Sequence, residues 1–212
     1  NGAGKTTFFN LISGTLTPTS GTITFRGEDI TDLDVPEVAR RGIGRSFQIT
    51  NLFEGLTVLE NVRLGVQSME RSPRTLSYAF SKVDEQDDLN RGAREILEFI
   101  GLEHLADEKV ETLSHGDKRV IELGLTLSLD ADLVLLDEPV AGLNTNETRE
   151  LLELIRRIGE DKTVLVIEHD VDFVVDISDT ISVLHQGQIL ARGAPEEIRN
   201  NEEVREVYLG ES

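Results

Sequence analysis

Three short stretches of this chain carry residue types whose spacing suits chemistry on phosphate. The chain opens Asn1-Gly2-Ala3-Gly4-Lys5-Thr6-Thr7, the closing part of the pattern G-x-x-x-x-G-K-[ST] with one further threonine. Glycines let a backbone curl until its N–H groups face phosphate oxygens, and a following helix N-terminus adds partial positive charge. Asn1, Gly2, Ala3, Gly4 and Thr7 are therefore candidates to cradle a nucleoside triphosphate. Lys5 would reach its β- and γ-phosphates, and the Thr6 hydroxyl would ligate Mg²⁺. The second stretch, Leu133-Val134-Leu135-Leu136-Asp137-Glu138, is an apolar run ending in two carboxylates, the pattern of a buried parallel strand. Ligands in open α/β sheets sit outside the carboxyl ends of the strands. Asp137 would then face Mg²⁺ through water, and Glu138 would orient and polarise an attacking water. The third stretch is Leu113-Ser114-His115-Gly116-Asp117. Ser114 is a natural N-cap there, and Gly116 would let a phosphate approach the backbone.

These groups need elements to hold them. Residues 5–12 read as a helix following the phosphate loop. Residues 21–27 alternate at period two and read as a strand. A short helix with Pro36 in its first turn covers 35–41, and a strand over 43–47 ends at Gln48. From about 57 to 127 the apolar positions follow helical spacing, with a helix opening at Ser114 and running to about Ser128. Residues 72–88 are polar and charged with little periodicity, and read as a connection. Further strands are expected over 133–136, 163–167, 180–184 and 188–192, and further helices over 147–158, 196–199 and 202–208. The expected fold class is α/β: a phosphate-loop NTPase core interrupted by a mostly helical subdomain.

Length and composition allow one such domain. At 212 residues the chain can bury a sizeable core, and no apolar run approaches the length of a membrane span. There is no secretory leader pattern. With no cysteine, a disulfide scaffold and a thiolate metal site are excluded. Forty acidic residues against twenty-one basic ones give a net charge of −19. Such a surface repels nucleic acid and anionic lipid headgroups, so no nucleic-acid partner is expected. It also resembles proteins of salt-loving organisms, in which salt screens self-repulsion.

Taken together, the opening loop, Leu113-Ser114-His115-Gly116 and the strand ending in Asp137-Glu138 resemble the ATP-binding subunit of an ABC transporter over essentially the whole chain. The resemblance implies one ABC ATPase domain over residues 1–212, truncated at its N-terminus, with a core of 1–50 and 128–212 and a helical subdomain of about 51–127. It implies that two such subunits, identical or related, close head-to-tail over two ATP molecules. Ser114 and Gly116 of one subunit would clamp the γ-phosphate of ATP held by the other. His115 and Asp117 stand where the commonest form of that motif has glycine and glutamine. His169 stands where the family places a histidine that contacts the γ-phosphate, so Glu138 and His169 are the expected catalytic pair. Gln48 matches a glutamine that touches Mg²⁺, beside Thr6 and Asp137. Asn144 lies in a loop that crosses to the partner subunit, where aspartate is commoner.

Within the family, Arg45-Ser46-Phe47-Gln48 with Asn51-Leu52-Phe53, Thr57-Val58-Leu59-Glu60-Asn61-Val62 and the ending Tyr208-Leu209-Gly210 resemble the branched-chain amino acid importers. Urea importers share Leu113-Ser114-His115-Gly116 and Val183-Leu184-His185-Gln186-Gly187 and are the alternative. Either implies two transmembrane permease subunits, indirect dependence on a solute-binding protein, and a peripheral place on the cytoplasmic face of the membrane. ABC ATPases acting in DNA repair or on ribosomes, and regulatory modules without turnover, are the other classes. The acidic surface and the absence of a coiled-coil insert argue against the first. Glu138 and His169 argue against the second.

Overall fold

The computed structural model describes residues 2–46, 52–70 and 84–209. Its centre is three parallel strands in the order β3-β4-β5, namely Ile43–Arg45, Leu133–Asp137 and Thr163–Ile167. Val134, Leu135 and Leu136 of β4 are buried because a neighbouring strand and a helical layer cover each side. The strand's period of two sorts its side chains onto two cores. Leu135 and Ile167 join Phe9, Ile30, Val38 and Ile43, beneath helices α1 (Lys5–Ile12) and α2 (Val35–Arg40). Val134 and Leu136 face the opposite way, toward α5 (His115–Leu127) and α6 (Thr145–Asp161).

That second core continues without a break into the helical middle of the chain. Helix α3 (Val58–Glu70) packs on α4 (Asp84–Phe99) and on α5, and Val58, Val62, Ala93, Leu97, Ile121 and Leu123 belong to the same apolar cluster as Val134. Asn61 is buried among them. It is satisfied because its side chain accepts from the Phe53 N–H and donates to the Phe53 and Thr57 carbonyls.

The expected strand over 21–27 is instead the start of a hairpin, β1 (Thr24–Phe25) and β2 (Glu28–Asp29). Arg26 and Gly27 both have positive φ, 52° and 81°, and a two-residue turn of that hand suits the twist of an antiparallel pair. The same device, Gln186-Gly187, joins β6 (Ile181–His185) to β7 (Gln188–Gly193). Residues 84–88, expected in a connection, open α4, whose buried anchors Leu89, Ala93 and Leu97 begin only after its first turn. Helix α7 (Val171–Ile177) was not expected at all, because Val-Asp-Phe-Val-Val-Asp-Ile is rich in strand-favouring residues. Asp170 settles the matter locally: its carboxylate accepts the Phe173 N–H and caps the helix. Helices α8 (Pro195–Arg199) and α9 (Glu202–Leu209) close the chain. Among the described residues no helix is long and apolar enough to cross a membrane.

Candidate functional site

Gly4 is the hinge of the opening loop. Its φ of 99° is reserved in practice for glycine, and it serves as N-cap of α1 with no side chain capping the first turn. The first-turn N–H groups thus keep their donors for a ligand, the arrangement that binds anions at helix N-termini. Thr6 and Thr7 are exposed on that turn, and Lys5 is half-buried. The loop is braced from behind: the Gly187 N–H donates to the Ala3 carbonyl at 2.9 Å. The β6–β7 turn is thus tied to the opening loop. Asn1 and Gln48 lie outside the described residues.

The ends of β4 and β5 carry the acidic half of the site. Asp137 closes β4 with its side chain only 2% exposed and paired to Arg45 at 3.0 Å. Arg45 also donates to Asn10 Oδ1 and Ser13 Oγ at the end of α1, and its guanidinium lies 5.5 Å from the centre of the Phe9 ring. One arginine thus ties α1, β3 and β4 together directly behind the carboxylate. Sequence reasoning named it only within Arg45-Ser46-Phe47-Gln48 and gave it no part in the site, since its partners come together only on folding.

Glu138 follows with φ 47°, a left-handed conformation that a non-glycine residue holds only under outside constraint. Its N–H donates to the Ile167 carbonyl at 2.8 Å, which brings it level with the end of β5. His169 lies just beyond that end, with Nδ1 3.7 Å from Glu138 Oε1 and 3.7 Å from Glu168 Oε2. The imidazole is largely exposed, and the Glu138 carboxylate is partly so. Both can meet a ligand from solvent. Glu168 cannot, for its side chain is 1% exposed. Burial pushes its carboxyl above the usual carboxylate range, opposed by the Val140 and His169 N–H groups that it accepts. It too was missed, because an acid beside a histidine at a strand end reads as surface.

A cavity of about 1290 Å³ lies between β5, α7 and the β6–β7 hairpin, and Lys5, Phe8, Glu168, His169 and Leu184 all contribute to its wall. Most of that wall is the length of β5 and of β6 with α7 between them, and Lys5 and His169 are two further residues along it. Ser114 and Gly116 do not line it. Ser114 caps α5, accepting the Asp117 N–H and donating its own hydroxyl to Asp117 Oδ2 at 2.7 Å. Gly116 is buried against α6, where an added Cβ would lie 2.7 Å from Glu147 Oε1. Asn144 is the N-cap of α6 in a reciprocal box: its side chain accepts the Asn146 and Glu147 N–H groups, and Glu147 Oε2 accepts the Asn144 N–H. Of this second half of the expected site, Ser114 is exposed at the start of α5, while Gly116 lies buried beneath Glu147 of α6.

The donors fit a magnesium ion bound to phosphates. Among the described residues no group of three or more His, Asp or Glu side chains could hold a metal by itself. A threonine hydroxyl and one carboxylate are hard oxygen donors, and Mg²⁺ typically takes one or two such ligands with the rest from phosphate and water.

Comparison with known proteins gives a consistent answer. The family described as "ABC transporter" matches residues 1–141. The family described as "Branched-chain amino acid ATP-binding cassette transporter" matches residues 188–212. The high-affinity branched-chain amino acid transport ATP-binding protein LivG of Salmonella typhimurium is 42% identical over 218 residues, covering 100% of this chain and 85% of that protein. The corresponding BraF protein of Pseudomonas aeruginosa is 38% identical over 221 residues, with the same coverage. Among solved structures, an ATP-binding cassette of an ABC transporter in its ADP conformation superposes with a TM-score of 0.84 at 32% identity, covering 99% of this chain and 85% of that one. A dimeric ATP-binding cassette in a post-hydrolysis state, bound to ADP and Pi, has a TM-score of 0.74 at 27% identity, covering 91% and 81%. With a phosphate-loop α/β core and relatives that align along its whole length, the chain belongs to the ABC transporter family, as an ATP-hydrolysing cassette.

Proposed function

We propose that this chain powers the import of branched-chain amino acids by hydrolysing ATP at a site shared between two ATP-binding subunits. The observation that carries the reading is the meeting of Glu138 and His169, 3.7 Å apart across the ends of adjacent parallel strands. They share that end of the sheet with Asp137.

In this reading Gly2, Ala3, Gly4 and the first turn of α1 hold the phosphates by their N–H groups, with Asn1 and Thr7 flanking them. Lys5 neutralises charge on the β- and γ-phosphates, and Glu138 orients water for in-line attack. His169 donates to the γ-phosphate as charge builds there. Thr6, Gln48 and Asp137 are the residues that would hold Mg²⁺, which when bound would supply positive charge against the phosphates. Ser114 and Gly116 lie apart from the cavity, which suits a surface that closes over the partner's ATP. Asn144, at the start of α6 beside that surface, belongs to the same contact.

The wider assembly follows from the same reading. Residues 1–50 and 128–212 form the nucleotide-binding core and 51–127 the helical part. Two transmembrane permease subunits bind at the cytoplasmic face of the membrane, and a solute-binding protein delivers the cargo. The named relatives support leucine-type cargo, and the net charge of −19 suits work in high salt. Uptake of labelled leucine and labelled urea in a strain lacking the protein tests the cargo. Loss of leucine uptake alone is expected. Loss of urea uptake alone would transfer the chain to the urea importers.

A further inference from the structure

One buried acid has no part in the mechanism so far. Glu168 follows the last ladder residue of β5, and both of its oxygens are engaged: Oε1 accepts the Val140 N–H at 3.1 Å, and Oε2 accepts the His169 N–H at 3.2 Å. Val140 lies two residues past Glu138. Pro139 between them has no N–H to offer and a fixed φ, so Val140 supplies the next amide after the one on Glu138. The turn at Glu138 is thereby clamped on both sides by the end of β5. On one side the Glu138 N–H donates to the Ile167 carbonyl, and on the other the Val140 N–H donates to the Glu168 carboxylate. Between the two clamps sits a backbone at φ 47°, which relaxes unless its surroundings over-determine it. With the side chain only 1% exposed, water does not compete for either amide.

We propose that Glu168 is a positioning residue for ATP hydrolysis: its buried carboxylate braces the turn carrying Glu138 against the strand end carrying His169. The proposal rests on the assignment of those two residues to catalysis. It places no contact between Glu168 and ATP, so its loss acts on the chemical step and leaves nucleotide binding in place. A leucine at 168 removes both acceptors. A glutamine keeps one acceptor oxygen and turns an NH₂ group toward the other amide, so one brace survives.

The test is ATP turnover by the full-length protein carrying Glu168→Leu, Glu168→Gln or Glu138→Gln, with binding of a fluorescent ATP analogue measured alongside. Turnover (kcat) should fall about 100-fold in Glu168→Leu and about 10-fold in Glu168→Gln, as expected when a reacting geometry loosens. KM for ATP and the affinity for the analogue should stay within about twofold, since uniform binding is untouched. If Glu168→Leu does not fold, the kcat-against-KM split of Glu168→Gln decides. Parent-like kcat in the Glu168 variants, with Glu138→Gln inactive, would overturn the brace and leave the catalytic pair standing. Loss of kcat and analogue binding together, with glutamine no better than leucine, would reduce Glu168 to a general folding residue. Parent-like turnover in Glu138→Gln would remove the assignment beneath both.

Discussion

Arg45 shows how much of the site depends on a residue with no direct role in it. The Asp137 carboxylate is buried, and its ionic partner is the guanidinium that also holds Asn10 and Ser13. Removing one member of such a pair leaves an uncompensated charge in a poor solvent. Arg45→Met is therefore expected to lower stability by about 3 kcal/mol, read from the midpoint of urea unfolding. A change below about 1 kcal/mol would mean that Asp137 finds its compensation elsewhere. Arg45→Lys should fall between, because a single ammonium cannot serve three partners in a plane as a guanidinium does. Lys5, Asp137 and Glu138 stand out in the sequence as candidates because their types and spacing are unusual. Arg45 and Glu168 were not, because an arginine or glutamate acquires its role only when folding buries it beside a particular partner. The 3.0 Å pair and the 1% exposure are tertiary facts.

The starts of α5 and α6 depend on each other in a way that neither sequence segment announces. Gly116 reads as a residue that lets phosphate approach the backbone. The structure adds a second reason, for a Cβ there would press on Glu147, whose other oxygen completes the cap of α6. Gly116→Ala should therefore disturb that cap and cost about 1 kcal/mol. Working against this loss is the better helix propensity of alanine, worth roughly the same amount. The two nearly cancel in the parent, whereas in a Glu147→Ala background the clash is gone and Gly116→Ala should stabilise by about 1 kcal/mol. A double-mutant cycle on thermal unfolding should give a coupling of about 1 kcal/mol, and independent effects would refute the contact. Element boundaries were legible where a glycine turn precedes a helix, as at Gly4 before α1, and where an apolar run stands out, as in β5. They failed where local preference and tertiary context part, as in α7. Its valines favour strand, but Asp170 caps a helix and Phe173 is drawn into the core shared with Leu136 and Ile177.

At the scale of the whole molecule the two halves of the candidate site sit on different surfaces. Lys5 and His169 line one cavity, while Ser114 and Gly116 lie apart from it, where α5 meets α6. Under the proposed function, a single chain with this layout would hold the phosphates and the water without covering them. A second copy turned head-to-tail would supply the missing side, so binding of ATP and pairing of subunits are expected to be one event. The fold class was legible because three motifs each fall at an element end. The continuous core joining α3–α5 to the sheet was not, since helical spacing reveals an apolar face but not what covers it. Glu138 is expected to drive hydrolysis within such a pair, and one comparison decides it. Glu138→Gln and parent protein are incubated with Mg²⁺ and ATP, and phosphate release and molar mass in solution are measured together. The variant should release phosphate at least about 100-fold more slowly than the parent while its mass doubles on binding ATP. A variant that releases phosphate as fast as the parent would contradict the account.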